Sequence, residues 1–246
     1  MIDSSVVPVP ESPVVTKRLC DRHDGVGADG VEWLLPHPSA DIEIRLINAD
    51  GSEAEISGNG TRCVAAYLFS EQGKEKIAIQ TGAGLKTCML TSRSDWDYEF
   101  EMGMGPARVE KELIVKTRAG ETRGIPVSTG NPHYVVFVSE FPSDWQSQGA
   151  EIQRSSQFKQ GVNVEFVSVD DKRNLRARFF ERGAGETQSS GTGSCASAVA
   201  AISTGRAESP VKVHAPGGTQ TVRMENNLIF LRGPARLLCR GEFFLT

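Results

Sequence analysis

The sequence predicts an α+β protein built from two pseudo-symmetric, strand-rich halves, each wrapped around one central buried helix. Three observations carry this. The runs TRCVAAYLFSEQG (61–73) and SCASAVAAISTG (194–205) are apolar or small around most of the helical circumference, so each requires cover on every side. Each run is opened by a serine-glycine turn, SGNG (57–60) or SGTG (190–193). The two regions also align without a gap at an offset of 133 residues: Arg45 with Arg178, Glu53 with Glu186, Ser57 with Ser190, Gly58 with Gly191, Gly60 with Gly193.

The elements follow in order. Residues 14–22 read as a short helix and HDGVGADG as a glycine-rich turn, with VEWLL a strand after it. DIEIRLIN (41–48) alternates Ile42, Ile44 and Leu46 onto one face, the pattern of a half-buried strand. The first apolar helix ends at Gly73, a natural C-terminal cap. KIAIQT, KTCML and YEFEMG read as strands. The second half repeats the order. HYVVFV, VNVEFVSV and LRARFF precede the second helix, which Gly205 stops, and VKVHA, QTVRM and LIFLRG close the chain. Residues 1–118, joined by a C-terminal strand at 236–246, form the first expected half, and 119–235 the second.

Composition narrows the function. The 246 residues are 39% hydrophobic and 24% charged, ordinary for a globular chain with a sizeable core. Lys and Arg number 27 against 31 Asp and Glu, with no basic run, so no nucleic-acid partner is expected. No apolar stretch approaches the roughly 18–20 residues of a membrane span, and MIDSSVVPVPESP lacks the marks of a signal peptide; a cytoplasmic setting is expected. Five scattered cysteines without CxxC spacing, and four distant histidines, indicate neither a disulfide frame nor a metal site.

GVGADG (25–30) fits GxGxxG, but the order here is helix, loop, strand. A dinucleotide site needs strand, loop, helix, so that pyrophosphate meets a helix N-terminus. A tight turn is the better account. SGNG and SGTG differ, because a helix follows each at once. The first amides of a helix lack intrahelical partners and carry partial positive charge, and glycines let a ligand approach them. One such turn is ordinarily a capped helix start. Two related by duplication and flanking one cleft would hold a carboxylate. Donors around the carboxylate of an amino acid stabilise the enolate-like state formed when its α-proton leaves. Two groups, at Ser57 and Ser190, could then remove that proton and return another.

At these residues the chain resembles the diaminopimelate epimerase family, through DRHDGVGADG, NADGSEAEISGNGTRC, GNPH (130–133), GVNVEFV and ERGAGETQSSGTGSCA. The resemblance implies mostly antiparallel sheets around the central helices, often a homodimer, and an isomerase that needs no cofactor and interconverts LL- and meso-diaminopimelate. It implies that Gly58, Asn59, Gly191 and Thr192 hold the reacting carboxylate through backbone amides. Asn48, Asn163 and Arg182 would read the distal amino-acid end, Glu181 would meet the distal ammonium and serve in catalysis, and Asn131 and His133 would line the site. Two departures stand out. The family carries cysteine where this chain has Ser57 and Ser190, and a hydroxyl ionises far less readily than a thiol of pKa about 8.5. The family also begins with a strand bearing a GxGNDF-like segment, and Met1–Asp3 align just after it. The alternatives left open are an amino-acid-binding homologue without activity and a dehydratase or epimerase of the hydroxyproline type.

Overall fold

A computed structural model describes residues 1–3 and 12–244. Much of the stretch weighed as a signal peptide therefore falls outside the described residues. The chain divides into two compact units, Met1–Met102 with Pro234–Thr246, and Gly103–Gly233. Among the described residues no helix is long and apolar enough to cross a membrane.

The first unit holds β1 (Ile2–Asp3), α1 (Ser12–Cys20), β2 (Gly30–Leu35), β3 (Ile42–Asn48), β4 (Glu53–Ala54), α2 (Gly58–Gln72), β5 (Lys76–Thr81), β6 (Gly84–Ser94) and the start of β7 (Asp97–Pro106). β2 and β3 pair antiparallel, with Val31 opposite Ile47 and Leu34 opposite Ile44. One face of this ribbon presents Val31, Trp33 and Ile47 to Val15, Leu19 and Cys20 of α1. The other presents Glu32, Leu34 and Ile44, all buried. β3 is thus covered on both faces rather than half-buried, and Ile47 is more deeply buried than the alternation predicts. Between α1 and β2 the chain reverses in a tight turn, with the amides of Val26 and Gly27 both donating to the Leu19 carbonyl. A Cβ on Gly25 would lie 2.1 Å from the Arg18 carbonyl oxygen, so only glycine fits.

The second unit holds the end of β7, β8 (Arg108–Val109), β9 (Leu113–Thr117), β10 (Gly120–Ser128), β11 (Pro132–Phe137), α3 (Trp145–Gln153), β12 (Asn163–Asp171), β13 (Asn174–Glu181), β14 (Gly185–Thr187), α4 (Gly191–Ser203), β15 (Val211–Ala215), β16 (Gly218–Glu225) and β17 (Leu228–Arg236) up to Gly233. Residues 103–118, expected in the first half, lie here because β8 and β9 pair with β10. The tail expected as strand 236–246 is strand only to Arg236, whose guanidinium meets Asp97 in the first unit, with Nη2 2.7 Å from Oδ2.

The duplication extends to strand register. β3·β4 pairs Leu46 with Ala54 and Ile47 with Glu53; β13·β14 pairs Phe179 with Thr187 and Phe180 with Glu186. Every one of these residues maps onto its counterpart at the 133 offset. So does α1, whose limits fall on those of α3, a helix the sequence patterns did not reveal. α3 packs Trp145 and Ile152 against Val164 and Phe166 of β12, as α1 packs on β2. On the opposite face lies α4, whose Cys195, Ala196, Ala198, Ala200 and Ala201 are wholly buried. α2 is less enclosed: Val64, Ala65, Ala66 and Leu68 are buried, but Tyr67 and Phe69 are only half-buried.

Candidate active site

Both glycine turns cap their helices in the same way. Ser57 and Ser190 are extended, with φ of −118° and −137°, and the side chain of each caps its helix. The Gly60 amide donates to Ser57 Oγ at 3.0 Å, and the Gly193 amide to Ser190 Oγ at 3.1 Å. The amides of Thr61 and Ser194 donate to the carbonyls of the same two serines. The amides of Gly58 and Asn59, and of Gly191 and Thr192, precede these bonds in the two first turns, where the helix dipole favours an anion.

In the second unit three neighbouring strands bring the other expected residues together. β11 and β12 run parallel with His133 opposite Asn163. β12 and β13 run antiparallel with Val164 opposite Phe180, so Glu181 stands one step beyond, beside Asn163. Asn163 spends its amide on the backbone: Oδ1 accepts from the Arg182 N–H at 2.9 Å, and Nδ2 donates to the Pro132 carbonyl at 3.0 Å. It fixes the ends of β11 and β13 as much as it offers itself to a ligand. The exposed Arg182 donates Nη1 to the Gln160 carbonyl at 2.8 Å.

Glu181 forms a hydrogen bond with Ser190. Burial pushes its carboxyl above the ordinary glutamate range, while the Ser190 bond and the nearby His133 pull it down. The result is a hydroxyl whose proton has a basic acceptor beside it, the arrangement that activates a serine. The first unit has no such acceptor in register. Asn48 occupies the position equivalent to Glu181, opposite Gly30, and donates Nδ2 to Ser52 Oγ at 3.0 Å. Asn59 accepts from Arg62 Nη2 at 2.6 Å.

Cys63 and Cys88 do not stand in for the missing cysteines. Burial raises the pKa of Cys63 and pushes Cys88 up to about 12, which disfavours the thiolate a base requires.

His133 is buried, with Nδ1 2.7 Å from Glu165 Oε1 and Nε2 2.9 Å from Asn131 Oδ1. Asn131 Nδ2 in turn donates to Thr192 Oγ1 at 3.4 Å. The patterns did not single out Glu165 or its counterpart Glu32, both buried in the middle of strands. A signal was present: Val31-Glu32-Trp33 and Val164-Glu165-Phe166 each set a carboxylate inside an apolar run, at the 133 offset.

Comparison with known proteins completes the picture. A family model described as "Diaminopimelate epimerase" matches residues 3–121 and 125–238. The chain belongs to the diaminopimelate epimerase family. It is 37% identical over 251 residues to the diaminopimelate epimerase of Desulfitobacterium hafniense, covering 95% of this chain and 88% of the relative. It is 39% identical over 243 residues to that of Caldanaerobacter subterraneus subsp. tengcongensis, covering 92% and 88%. Among solved structures, a Bacillus anthracis phenazine biosynthesis protein of the PhzF family superposes with a TM-score of 0.74 at 17% identity, covering 96% of this chain and 89% of its own. A hydroxyproline epimerase from Agrobacterium vitis gives 0.70 at 17%, covering 94% and 80%. At those identities the family's structural neighbours show the shared fold alone.

Proposed function

We propose that this chain is a cofactor-independent isomerase that interconverts LL- and meso-diaminopimelate, with Ser57 and Ser190 as its proton-transfer groups. The observation that carries this is the Glu181–Ser190 bond at the capped start of α4, with His133 and Asn163 on the neighbouring strands and Asn131 and Arg182 just beyond the strand ends. Ser190 gives its proton to the Glu181 carboxylate as its oxygen takes the α-proton, and Ser57 gives its own proton to the opposite face of the carbanion; solvent then returns a proton to Ser57 and takes one from Glu181, and the reverse direction runs through the same steps backwards. The amides of Gly58, Asn59, Gly191 and Thr192 hold the reacting carboxylate. Asn48, Asn163 and Arg182 read the distal end, Arg182 through a paired contact to its carboxylate. The carboxylate of Glu181 also meets the distal ammonium. On the family likeness, the protein works in the cytoplasm as a homodimer, which fractionation and sedimentation test.

The decisive experiment is deuterium uptake at the α-carbon of diaminopimelate in heavy water. Exchange by the chain, faster by roughly a hundredfold or more in Ser57→Cys/Ser190→Cys, is the expected result. If neither protein exchanges that proton, the substrate assignment fails. The two serines favour one second reading, a binding protein without turnover: calorimetry would then show diaminopimelate bound, with exchange at background in the serine chain. A hydroxyproline-type activity predicts turnover of hydroxyproline instead. Such a small ring would leave the distal residues unpaired, at about 1–3 kcal/mol for each one buried.

A further inference from the structure

Four side chains of the second unit form an unbroken line from a buried carboxyl to the first turn of α4: Glu165, His133, Asn131 and Thr192. The side chains of Glu165 and His133 are fully shielded from solvent. In the structure Asn131 Oδ1 accepts from the Thr129 hydroxyl at 3.2 Å, and its nitrogen faces Thr192. An amide oxygen only accepts, so His133 Nε2, 2.9 Å away, must carry a hydrogen. With Nε2 protonated, the contact of 2.7 Å between Nδ1 and Glu165 Oε1 needs one more proton, held either on the imidazole or on the carboxyl. Both placements leave the geometry unchanged.

Loss of that proton does not. A neutral imidazole facing a carboxylate puts its single hydrogen on Nδ1, which leaves a bare Nε2 lone pair against the Asn131 oxygen. The strain is relieved when the amide turns over, so that Nδ2 donates to Nε2 and Oδ1 faces Thr192. The Thr192 hydroxyl then donates its hydrogen to Oδ1. In the observed arrangement Thr192 Oγ1 is an acceptor, and its own hydrogen remains for another partner.

We propose that Glu165 is a positioning residue which, with His133, stores one proton that keeps the Asn131 amide turned and the Thr192 hydroxyl directed to the bound carboxylate. This deepens the epimerase reading and rests on it for the identity of the ligand. Oε2 of Glu165 has no hydrogen-bond partner among the described residues, so an unneutralised carboxylate there is costly. Burial favours the acid and Glu181 on β13 reinforces it, while His133 and a hydrogen bond from the Tyr134 backbone N–H oppose it. His133 and Glu181 are the ionisable side chains acting on Glu165; the neighbouring β10 presents Val127 opposite His133, and the only ionisable side chain on α4 is Cys195.

The test is long-range ¹H–¹⁵N NMR of the full chain labelled at histidine, from pH 6 to 9, alongside calorimetry with meso-diaminopimelate. The expected result is a hydrogen on His133 Nε2 that disappears in a single step when the buried Glu165 carboxyl gives up its proton, with affinity falling about tenfold through the same step, the worth of one hydrogen bond. Glu165→Gln donates an amide hydrogen to Nδ1 and has no proton to lose, so both the Nε2 signal and the affinity stay flat. Thr192→Val binds about tenfold more weakly at low pH and loses the pH step in affinity, a readout that stands even if Glu165→Gln does not fold. A bare Nε2 at neutral pH, or the same titration in Glu165→Gln, or an affinity step that survives in Thr192→Val, overturns the proposal. The NMR arm needs no ligand: the expected change at His133 Nε2 with no diaminopimelate bound by any of the proteins overturns the functional reading and leaves the proton store standing.

Discussion

Glu32 offers a direct measure of what a buried carboxyl costs this fold. Its side chain leaves β2 on the face toward α2, the residue is 6% exposed, and neither oxygen has a hydrogen-bond partner among the described residues. Burial pushes its pKa from an ordinary 4.5 to about 7. In the unfolded chain the group gives up its proton near 4.5; in the folded chain it holds the proton until about 7. Between those values the native state binds more protons, so stability falls as pH rises, and above 7 the loss is complete. At about 1.36 kcal/mol per pH unit, the interval corresponds to about 3 kcal/mol. Glu32→Gln keeps the shape and removes the titration. Urea unfolding of both proteins from pH 4.5 to 8 should show the variant gaining about 3 kcal/mol relative to the parent, with most of the gain accrued by pH 7. The comparison cancels every other titrating group. A difference that stays level across that range would refute the assignment of a buried, unpaired Glu32.

Other consequences follow from the same geometry. A Cβ on Gly60 would fall 1.9 Å from Glu32 Oε1 and 2.9 Å from Cδ, so Gly60→Ala should cost about 1–3 kcal/mol in thermal or urea unfolding, and Glu32→Ser in the same chain should restore most of it. Additive losses in the double variant would show that the two do not touch. Glu181→Gln keeps a hydrogen-bond acceptor beside Ser190 but removes the group that can take its proton, and should slow α-proton exchange by roughly 10²–10⁴-fold; a rate within threefold of the parent would take Glu181 out of the proton path. Ser57→Ala strips the cap from α2 and should destabilise the chain by about 1 kcal/mol whatever its effect on turnover, as unfolding would register.

The sequence announced the parts of this structure that depend on local chemistry. Serine caps and the glycine stop at Gly73 bounded α2, and VKVHA matched β15 residue for residue. The internal repeat said more than was drawn from it: shifting α1 by 133 residues gives α3. Taken alone, WQSQGAEIQ hides its nature, with polar residues on most faces and a glycine at its centre. Gly149 is there because the Phe180 ring packs where a side chain would be, 2.9 Å from a Cβ position, a tertiary reason invisible to periodicity. Glu165 and His133 were equally hidden as a pair. They meet only because β11 runs parallel to β12, and parallel pairing across an intervening helix leaves no local signature. The serines at 57 and 190 were legible as a departure from the family, but that Glu181 adjoins Ser190 depended on strand register.

That register has a consequence for how the chain can be dissected. Because β2·β3 and β12·β13 share one register, Asn48 and Glu181 are the same structural position bearing different chemistry. Asn48→Glu and Glu181→Asn trade the contents of two equivalent sockets within one polypeptide, so each copy serves as the reference against which its twin's divergence is read.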